Sequence, residues 1–96
     1  TVYEKMKNDM YYVYVLLSLK DKRFYTGFSS DLIKRIKRHN LGLVIATKNR
    51  LPFRLIYYEA CLNKTDALKR EIYLKTAWGK RYLNNRNMKF LKGKPQ

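Results

Sequence analysis

Carboxylates and histidines are scarce in this sequence, and their scarcity excludes several kinds of catalytic site. The 96 residues contain seven acidic side chains and a single histidine, His39. A two-metal site needs several converging carboxylates, and a serine or cysteine triad needs a partnering base. No acidic residue is followed two positions later by lysine, so a Glu-x-Lys restriction-type signature is absent too. What remains is a metal site with one carboxylate, whose proton transfers do not rely on a pair of histidines.

Cysteines and long apolar runs are also sparse. The one cysteine, Cys61, can form no disulfide within the chain and cannot build a thiolate metal cluster, which favours a reducing, cytoplasmic setting. The longest apolar run, residues 10–17, is far shorter than the roughly 20 residues that a bilayer span requires. We therefore expect a cytoplasmic protein that does not insert into a membrane.

Positive charge, in contrast, is abundant. Lysine and arginine number 22 against seven acidic residues, which gives a formal net charge of +15. So short a chain repels itself strongly unless a polyanion neutralises it. A basic membrane-surface protein usually confines its charge to one amphipathic helix, whereas here the basic residues run through the whole sequence. Nucleic acid is therefore the expected partner.

The pattern along the chain predicts one small domain. Residues 1–9 are polar without a sustained period and are expected to be a flexible lead-in. The domain is expected to cover 10–90, followed by a basic tail at 91–96. An apolar content of 46% is enough for one modest core in a chain of this length.

The spacing of apolar residues predicts an α/β (α+β) fold with a small, mostly antiparallel sheet of three strands and about three helices. The expected strands are 10–18, 23–28 and 54–60, and the first two form a hairpin. The expected helices are 31–40, a segment from Asn63 to Lys75, and 78–90. Ser29 or Ser30 would cap the first helix, which has Leu32, Ile33 and Ile36 on one face, and Asn63 would cap the second.

The basic segment between the first helix and the third strand carries no clear period. Gly42 frees its start and Pro52 ends it, so it is expected to be a mobile loop that clamps DNA. Lys48 and Arg50 are its predicted contacts to the phosphate backbone.

Three sets of residues are candidates for a site, and each has a purely structural alternative. Glu71 lies beside the inward stripe of its helix, where it either ligates a metal or pairs with a nearby Lys or Arg. Arg35 and His39 share a helix face and either present cations to a phosphate or form a surface Asp31–Arg35 pair beside a solvated histidine. Tyr14 and Tyr25 on adjacent strands either relay protons or only pack and hydrogen-bond.

Taken together, these positions resemble the GIY-YIG nuclease domain. Tyr-Val-Tyr at 12–14 and Tyr-Thr-Gly at 25–27 match its two name-giving tripeptides, Arg35 and His39 follow on a helix, and Glu71 lies on a later helix. Each tripeptide alone is common, but the ordered set is specific. The likeness covers roughly 10–90 and is closest to short stand-alone members related to the catalytic domain of the bacterial excision-repair incision subunit.

The resemblance implies a role for each residue. Tyr14 and Tyr25 would line the catalytic site, one of them helping to deprotonate the attacking water. Arg35 would hold the scissile phosphate, and Glu71 would ligate one Mg²⁺ or Mn²⁺. His39 would transfer a proton or orient the phosphate. Gly27 would let the backbone approach the bound DNA.

The sequence also departs from the family pattern. Tyr12 replaces the first glycine of the motif, Thr26 replaces its middle isoleucine, and Phe28 stands where the repair subunit has a lysine. Asn84 and Asn85 are the candidates for a late asparagine of the family site. The resemblance implies a metal-dependent endonuclease that hydrolyses phosphodiester bonds in DNA, in a pathway such as DNA repair. The alternative is a non-catalytic nucleic-acid-binding module of the same fold.

Overall fold

The computed structural model describes residues 9–93, so most of the predicted lead-in (1–8) and the end of the predicted tail (94–96) lie outside the described residues. Three strands and four helices follow one another along the chain. In order they are β1 (Tyr11–Ser18), β2 (Phe24–Ser29), α1 (Leu32–Asn40), β3 (Phe53–Cys61), α2 (Lys64–Leu74), α3 (Ala77–Arg86) and α4 (Met88–Gly93).

Strand β1 is the centre of an antiparallel sheet with the order β2-β1-β3. Tyr14 lies opposite Gly27 of β2 and Tyr58 of β3, and the pairing with β3 shifts between Val15 and Leu16. Because side chains alternate along a strand, both sets are buried when helices cover both faces of the sheet. This arrangement accounts for the uninterrupted apolar and aromatic run that predicted β1.

Each face of the sheet has its own apolar core. Helices α2 and α3 cover one face, whose core consists of Val13, Val15, Ala67, Leu74 and Leu83. Helix α1 covers the other face, whose core consists of Tyr14, Leu16, Leu32 and Phe53. A Cβ at Gly79 would run into the backbone of Tyr73 and Leu74, so this glycine lets α3 approach the end of α2 closely.

The predicted fold class and the Asn63 cap are confirmed, but the last predicted helix is not continuous. Residues 78–90 were expected to form one helix, whereas α3 ends at Arg86 and α4 begins at Met88. Asn87 separates them because both its backbone N–H and its side-chain amide donate to the carbonyl of Leu83. An asparagine side chain that competes in this way for backbone groups favours a helix end.

Two details predicted for α1 are wrong. Asp31, rather than Ser29 or Ser30, is its N-cap, and the Asp31 carboxylate accepts a hydrogen bond from the Lys34 N–H at 3.2 Å. Ile33 is 67% exposed, although it was predicted to share the inward face. One residue step turns a helix by about 100°, so Leu32 and Ile36 can face the sheet while Ile33 faces solvent.

The prediction of a mobile loop is also wrong, because the segment between α1 and β3 is anchored at several points. The Ser18 hydroxyl donates to the Arg50 carbonyl at 2.6 Å, and Lys20 Nζ donates to the Asn49 carbonyl at 3.0 Å. Val44 and Thr47 are buried within the segment. These contacts join it to the end of β1 and the turn that follows.

Candidate active site

A buried chain of hydrogen bonds lies between α1 and the sheet. The Tyr14 hydroxyl is 2.8 Å from Nε2 of His39, and Nδ1 of His39 is 2.8 Å from Oγ1 of Thr47. Arg35 Nε donates a longer hydrogen bond, of 3.4 Å, to the Tyr14 hydroxyl. The chain thus leads from Thr47 through His39 and Tyr14 to the guanidinium of Arg35.

The hydrogen bonds along this chain favour one tautomer of His39. The Thr47 hydroxyl lies 3.5 Å from the Val44 carbonyl, to which it can only donate, so it accepts from Nδ1–H of His39. Nε2 is then an acceptor, the Tyr14 hydroxyl donates to it, and a lone pair of the Tyr14 oxygen accepts from Arg35. One hydrogen bond is therefore donated and one accepted by each of the Thr47 hydroxyl, the His39 ring and the Tyr14 hydroxyl.

Burial dominates the titration of this cluster. It lowers the pKa of His39 to about 4, with a further contribution from the positive charge of Arg35, so the imidazole is neutral near pH 7. Burial also raises the pKa of Tyr14, although the hydrogen bond and the charge of Arg35 act in the opposite direction. Tyr14 is therefore a neutral phenol, as a donor to His39 must be.

The residues predicted for the catalytic site differ in how much of each side chain is exposed to solvent. Tyr14 and His39 are fully buried in the structure, so the roles predicted for them at the catalytic site stay predictions. Tyr14 lies beneath α1 and His39 on the inner face of that helix, so each contacts neighbouring side chains rather than solvent. Tyr25 and Arg35 are half-buried and keep a surface toward solvent. The Tyr25 ring packs edge-on against His39, with 5.2 Å between the ring centroids.

Arg35 is not paired in the way that the structural alternative required. No Asp31–Arg35 ion pair occurs within residues 9–93, because Asp31 is engaged as the helix cap. His39, in the same alternative, would be solvated, but it is fully buried. The Arg35 guanidinium therefore contacts Tyr14 and has no carboxylate partner among residues 9–93.

Gly27 has a different function from the DNA contact predicted for it. It is buried opposite Tyr14, and a Cβ at this position would collide with the tip of the Tyr14 ring. The glycine therefore provides space for the phenol that supports Arg35. Its burial leaves no surface through which it could contact DNA.

Glu71 reaches the site from α2. Its side chain is 19% exposed and forms an ion pair of 3.2 Å with Lys75, one turn further along the helix. It lies close enough to Tyr14 for its negative charge to contribute to the raised pKa of that phenol. Both predicted alternatives are thus compatible with its position, since a carboxylate that faces the site also has a lysine beside it.

A network on the opposite sheet face holds the helix that carries Glu71. The guanidinium of Arg70 donates to both carboxylate oxygens of Glu59 at 2.8–3.0 Å, and the Tyr57 hydroxyl donates to Glu59 at 2.7 Å. Arg70 also lies over the rings of Tyr73 and Tyr82. A bidentate pair of this kind fixes α2 to β3 immediately beside Glu71.

The donor set around Glu71 limits which metal it can hold. Residues 9–93 contain no group of three or more His, Cys, Asp or Glu side chains placed to bind one ion. A closed zinc site needs four such ligands, whereas Mg²⁺ commonly uses one or two carboxylates and completes its shell with water and phosphate oxygens. Glu71 therefore fits a magnesium-like ion, with the other ligands coming from water and substrate.

Several predicted contacts lie apart from this cluster. Arg50 is committed to Asp21, with 2.6 Å between Nε and the carboxylate, and also donates to the carbonyls of Arg23 and Phe24. Lys48 is exposed. Phe28 stacks on Tyr11 and packs against the core beneath α2 and α3, so no phosphate contact replaces the lysine of the repair subunit at that position.

Thr47 is the member of the site that sequence reasoning missed. It was treated as part of a basic loop, although it is fully buried and bonded to the only histidine. The one sequence feature that could have indicated its role was an uncharged hydroxyl side chain in a segment otherwise rich in lysine and arginine. A hydroxyl eight residues from His39 has no helical or strand spacing that would relate the two.

Comparison with known proteins agrees with this geometry. Residues 10–87 match the family model described as the GIY-YIG catalytic domain. The chain belongs to the GIY-YIG family. The predicted recognition of this family is thereby confirmed, and the nuclease family it represents acts in general on nucleic acid with divalent metals.

Comparison also finds relatives that match most of this chain. The chain is 46% identical over 67 residues to the UPF0213 protein CPE1444 of Clostridium perfringens, covering 69% of this chain and 71% of the relative. It is 44% identical over 69 residues to the UPF0213 protein SSP2268 of Staphylococcus saprophyticus, covering 71% and 83%. The solution NMR structure of the UPF0213 protein BH0048 from Bacillus halodurans superimposes with a TM-score of 0.50 at 36% identity, covering 90% and 88%.

Proposed function

We propose that the protein is a divalent-metal-dependent endonuclease that hydrolyses phosphodiester bonds in DNA. The observation that carries the proposal is the buried Thr47–His39–Tyr14 chain, to which Arg35 is hydrogen-bonded, on which Tyr25 packs, and whose phenol feels the charge of Glu71. The net charge of +15 supports a polyanionic substrate. The nuclease domain at 10–90, the cytoplasmic setting and a role in DNA repair stay predictions from the sequence. No helix within residues 9–93 is long and apolar enough to span a membrane.

Arg35 holds the scissile phosphate in this proposal. Its Nε–H is used by the Tyr14 hydroxyl, which leaves the terminal nitrogens to face the substrate. A guanidinium that is already oriented stabilises the charge that develops on the phosphoryl oxygens without reorganising during the reaction. His39 and Thr47 contribute by fixing the direction of the hydrogen bond that orients it.

Tyr25 is the tyrosine that acts on the attacking water. Tyr14 is excluded from contact with water because it is fully buried, whereas Tyr25 keeps an exposed surface on the edge strand β2. Tyr25 accepts a proton from the attacking water at its hydroxyl oxygen and passes its own phenolic proton to solvent. Its packing against the His39 ring holds the phenol in place.

Glu71 would hold one Mg²⁺ or Mn²⁺, which when bound polarises the phosphate and stabilises the leaving oxygen. Lys75 forms an ion pair with the Glu71 carboxylate in the structure. The Lys75 ammonium is 54% exposed on its side chain, so it can turn to solvent at little cost. The substrate phosphate, the carboxylate and Arg35 then share one small site.

The proposal is tested by incubating the pure protein with supercoiled, branched and single-stranded DNA, each with Mg²⁺, Mn²⁺ or a chelator. We expect cleavage of at least one substrate with a divalent ion and none with the chelator. Electrophoresis of the products measures both. Binding of DNA without cleavage under any of these conditions would support the non-catalytic binding module instead.

A Thr47→Val variant tests whether the buried chain orients Arg35. Valine keeps the volume but cannot accept from Nδ1–H, so we expect His39 to change to the Nε2–H tautomer, which donates to Tyr14 and displaces the hydrogen bond from Arg35. Cleavage should fall roughly 10- to 100-fold, the usual loss for a supporting polar contact. Nitrogen-15 NMR of the histidine ring reports the tautomer independently of activity.

Thr47→Ser is the matched control because it keeps the hydroxyl. We expect it to retain the Nδ1–H tautomer and most of the cleavage rate. If Thr47→Val kept the wild-type tautomer and rate, the orienting role of the chain would be wrong.

A further inference from the structure

Two adjoining recesses lie along β2 at the edge of the sheet, and no step proposed above uses them. The larger, of about 800 Å³, lies between the β1–β2 turn, α3 and α4 and includes Lys22, Arg23, Phe24, Lys80 and Leu91 in its lining. The smaller, of about 230 Å³, includes Tyr25, Lys75, Phe24 and Lys80. Since Phe24 and Lys80 line both, the two recesses adjoin, and we call them together the β2-edge groove.

One end of this groove is the candidate active site. Tyr25 lines the smaller recess, and so does Lys75, the ion-pair partner of Glu71. The other end is the β1–β2 turn at Lys22 and Arg23. The groove therefore leads from the reacting groups along the open edge of β2 for the length of that strand's first half.

The groove carries positive charge that the protein does not neutralise. Within residues 9–93, no carboxylate forms an ion pair with Lys22, Arg23 or Lys80. Asp21 also lines the larger recess, but Arg50 already pairs with it and holds the pKa of its carboxyl well below the ordinary range. The charges of Asp21 and Arg50 therefore cancel. The three cations that remain are Lys22, Arg23 and Lys80.

The floor of the groove is apolar. Leu17, Phe24 and Leu91 line the larger recess between the cations. Cationic walls over an apolar and aromatic floor are the combination that suits a nucleic-acid strand, because phosphates take the cations while sugar and base faces contact apolar side chains. A volume of about 800 Å³ is that of a small-molecule pocket, which has room for a few nucleotides of one strand.

We propose that the β2-edge groove binds the backbone of the DNA strand being cut, on one side of the scissile phosphate. This inference rests on the proposed nuclease function. Arg23 and Lys80 are its principal phosphate contacts, and Phe24 contacts the adjoining nucleotide. Two residues of chain separate Tyr25 from Arg23, or about 7 Å. That length corresponds to about two nucleotides at 3.4 Å per step of one strand.

The test is equilibrium binding of a labelled single-stranded 20-nucleotide DNA in chelator, measured by fluorescence anisotropy over a range of salt concentrations. In Arg23→Gln/Lys80→Gln two cations are lost from the groove. We expect the slope of log K against log salt to become shallower by about 1.4, since each phosphate contact to a single strand contributes about 0.7. At 0.15 M salt this loss corresponds to an affinity lower by about tenfold.

The matched control is Lys64→Gln/Lys69→Gln, which removes the same charge from exposed positions on α2 outside the groove. We expect its salt slope to stay close to that of the wild type. A second control, Arg23→Lys/Lys80→Arg, keeps both charges and should bind as the wild type does, which separates loss of charge from loss of fold.

The outcomes distinguish this inference from the proposed function. Equal weakening by the groove and control pairs would overturn the groove while leaving the nuclease proposal in place. Failure of the wild-type protein to bind DNA at any salt concentration would overturn both. Because the measurement uses chelator, its result does not depend on cleavage.

Discussion

Glu71→Gln is expected to abolish metal-dependent cleavage while DNA binding and folding persist. The amide keeps the shape of the side chain but removes the charge that would hold the ion. A bound metal supplies several kcal/mol of transition-state stabilisation, so the rate should fall by about 10³-fold or more. The lost Glu71–Lys75 pair is an exposed i,i+4 contact worth only about 0.3–0.5 kcal/mol, so unfolding should be nearly unchanged.

Asp66→Asn is the matched control for this change, because it makes the same acid-to-amide substitution in an exposed position of the same helix. Single-turnover cleavage with Mg²⁺ or Mn²⁺ should be close to wild type in Asp66→Asn and undetectable in Glu71→Gln. Binding of DNA in chelator should be the same in both. Wild-type cleavage by Glu71→Gln would remove the metal-binding role from this residue.

Tyr25→Phe is the second change with a large expected effect. It removes only the hydroxyl, whereas the ring that packs against His39 stays in place. Loss of a group that transfers a proton in the reaction typically lowers the rate by about 10²- to 10⁴-fold. We expect a loss of this size in single-turnover cleavage at saturating protein, with DNA affinity little changed.

Tyr58→Phe provides the comparison, since Tyr58 is also a solvent-exposed tyrosine on the same face of the sheet, across β1 from β2. Its hydroxyl has no role in the proposed reaction, so cleavage should continue at nearly the wild-type rate. Equal rates in Tyr25→Phe and wild type would assign the proton transfer to another group.

Much of the fold was predictable because it depends on local patterns. The unbroken apolar and aromatic run at 11–18 indicated a strand buried on both faces, and β1 is the central strand. Asn63 three residues before Asp66 indicated a helix start, and its side chain accepts from the Asp66 N–H. The sequence did not predict the end of α3. Whether a helix continues past Asn87 depends on whether the Asn87 side chain bonds to solvent or to the Leu83 carbonyl.

For the site, the sequence predicted a set of residues but not their arrangement. The resemblance to the GIY-YIG domain named Tyr14, Tyr25, Arg35, His39 and Glu71, and in the structure the first four are linked by hydrogen bonds and ring contacts. It could not say which of the two tyrosines meets water, because alternation along a strand gives the face of a residue but not its depth. Burial beneath α1 removes Tyr14 from solvent, whereas Tyr25 keeps an exposed surface.

The sequence by itself determined the family, the three strands and the strongly basic character that indicates nucleic acid, since motif order, periodicity and charge can all be read along the chain. Only the tertiary structure joined Thr47 to His39, Arg50 to Asp21 and Arg70 to Glu59. Each of these contacts depends on the path of a loop or the docking of a helix on the sheet. The same is true of the β2-edge groove, whose walls come from segments more than 50 residues apart. No spacing in the sequence encodes such contacts, because they form only when the whole core packs.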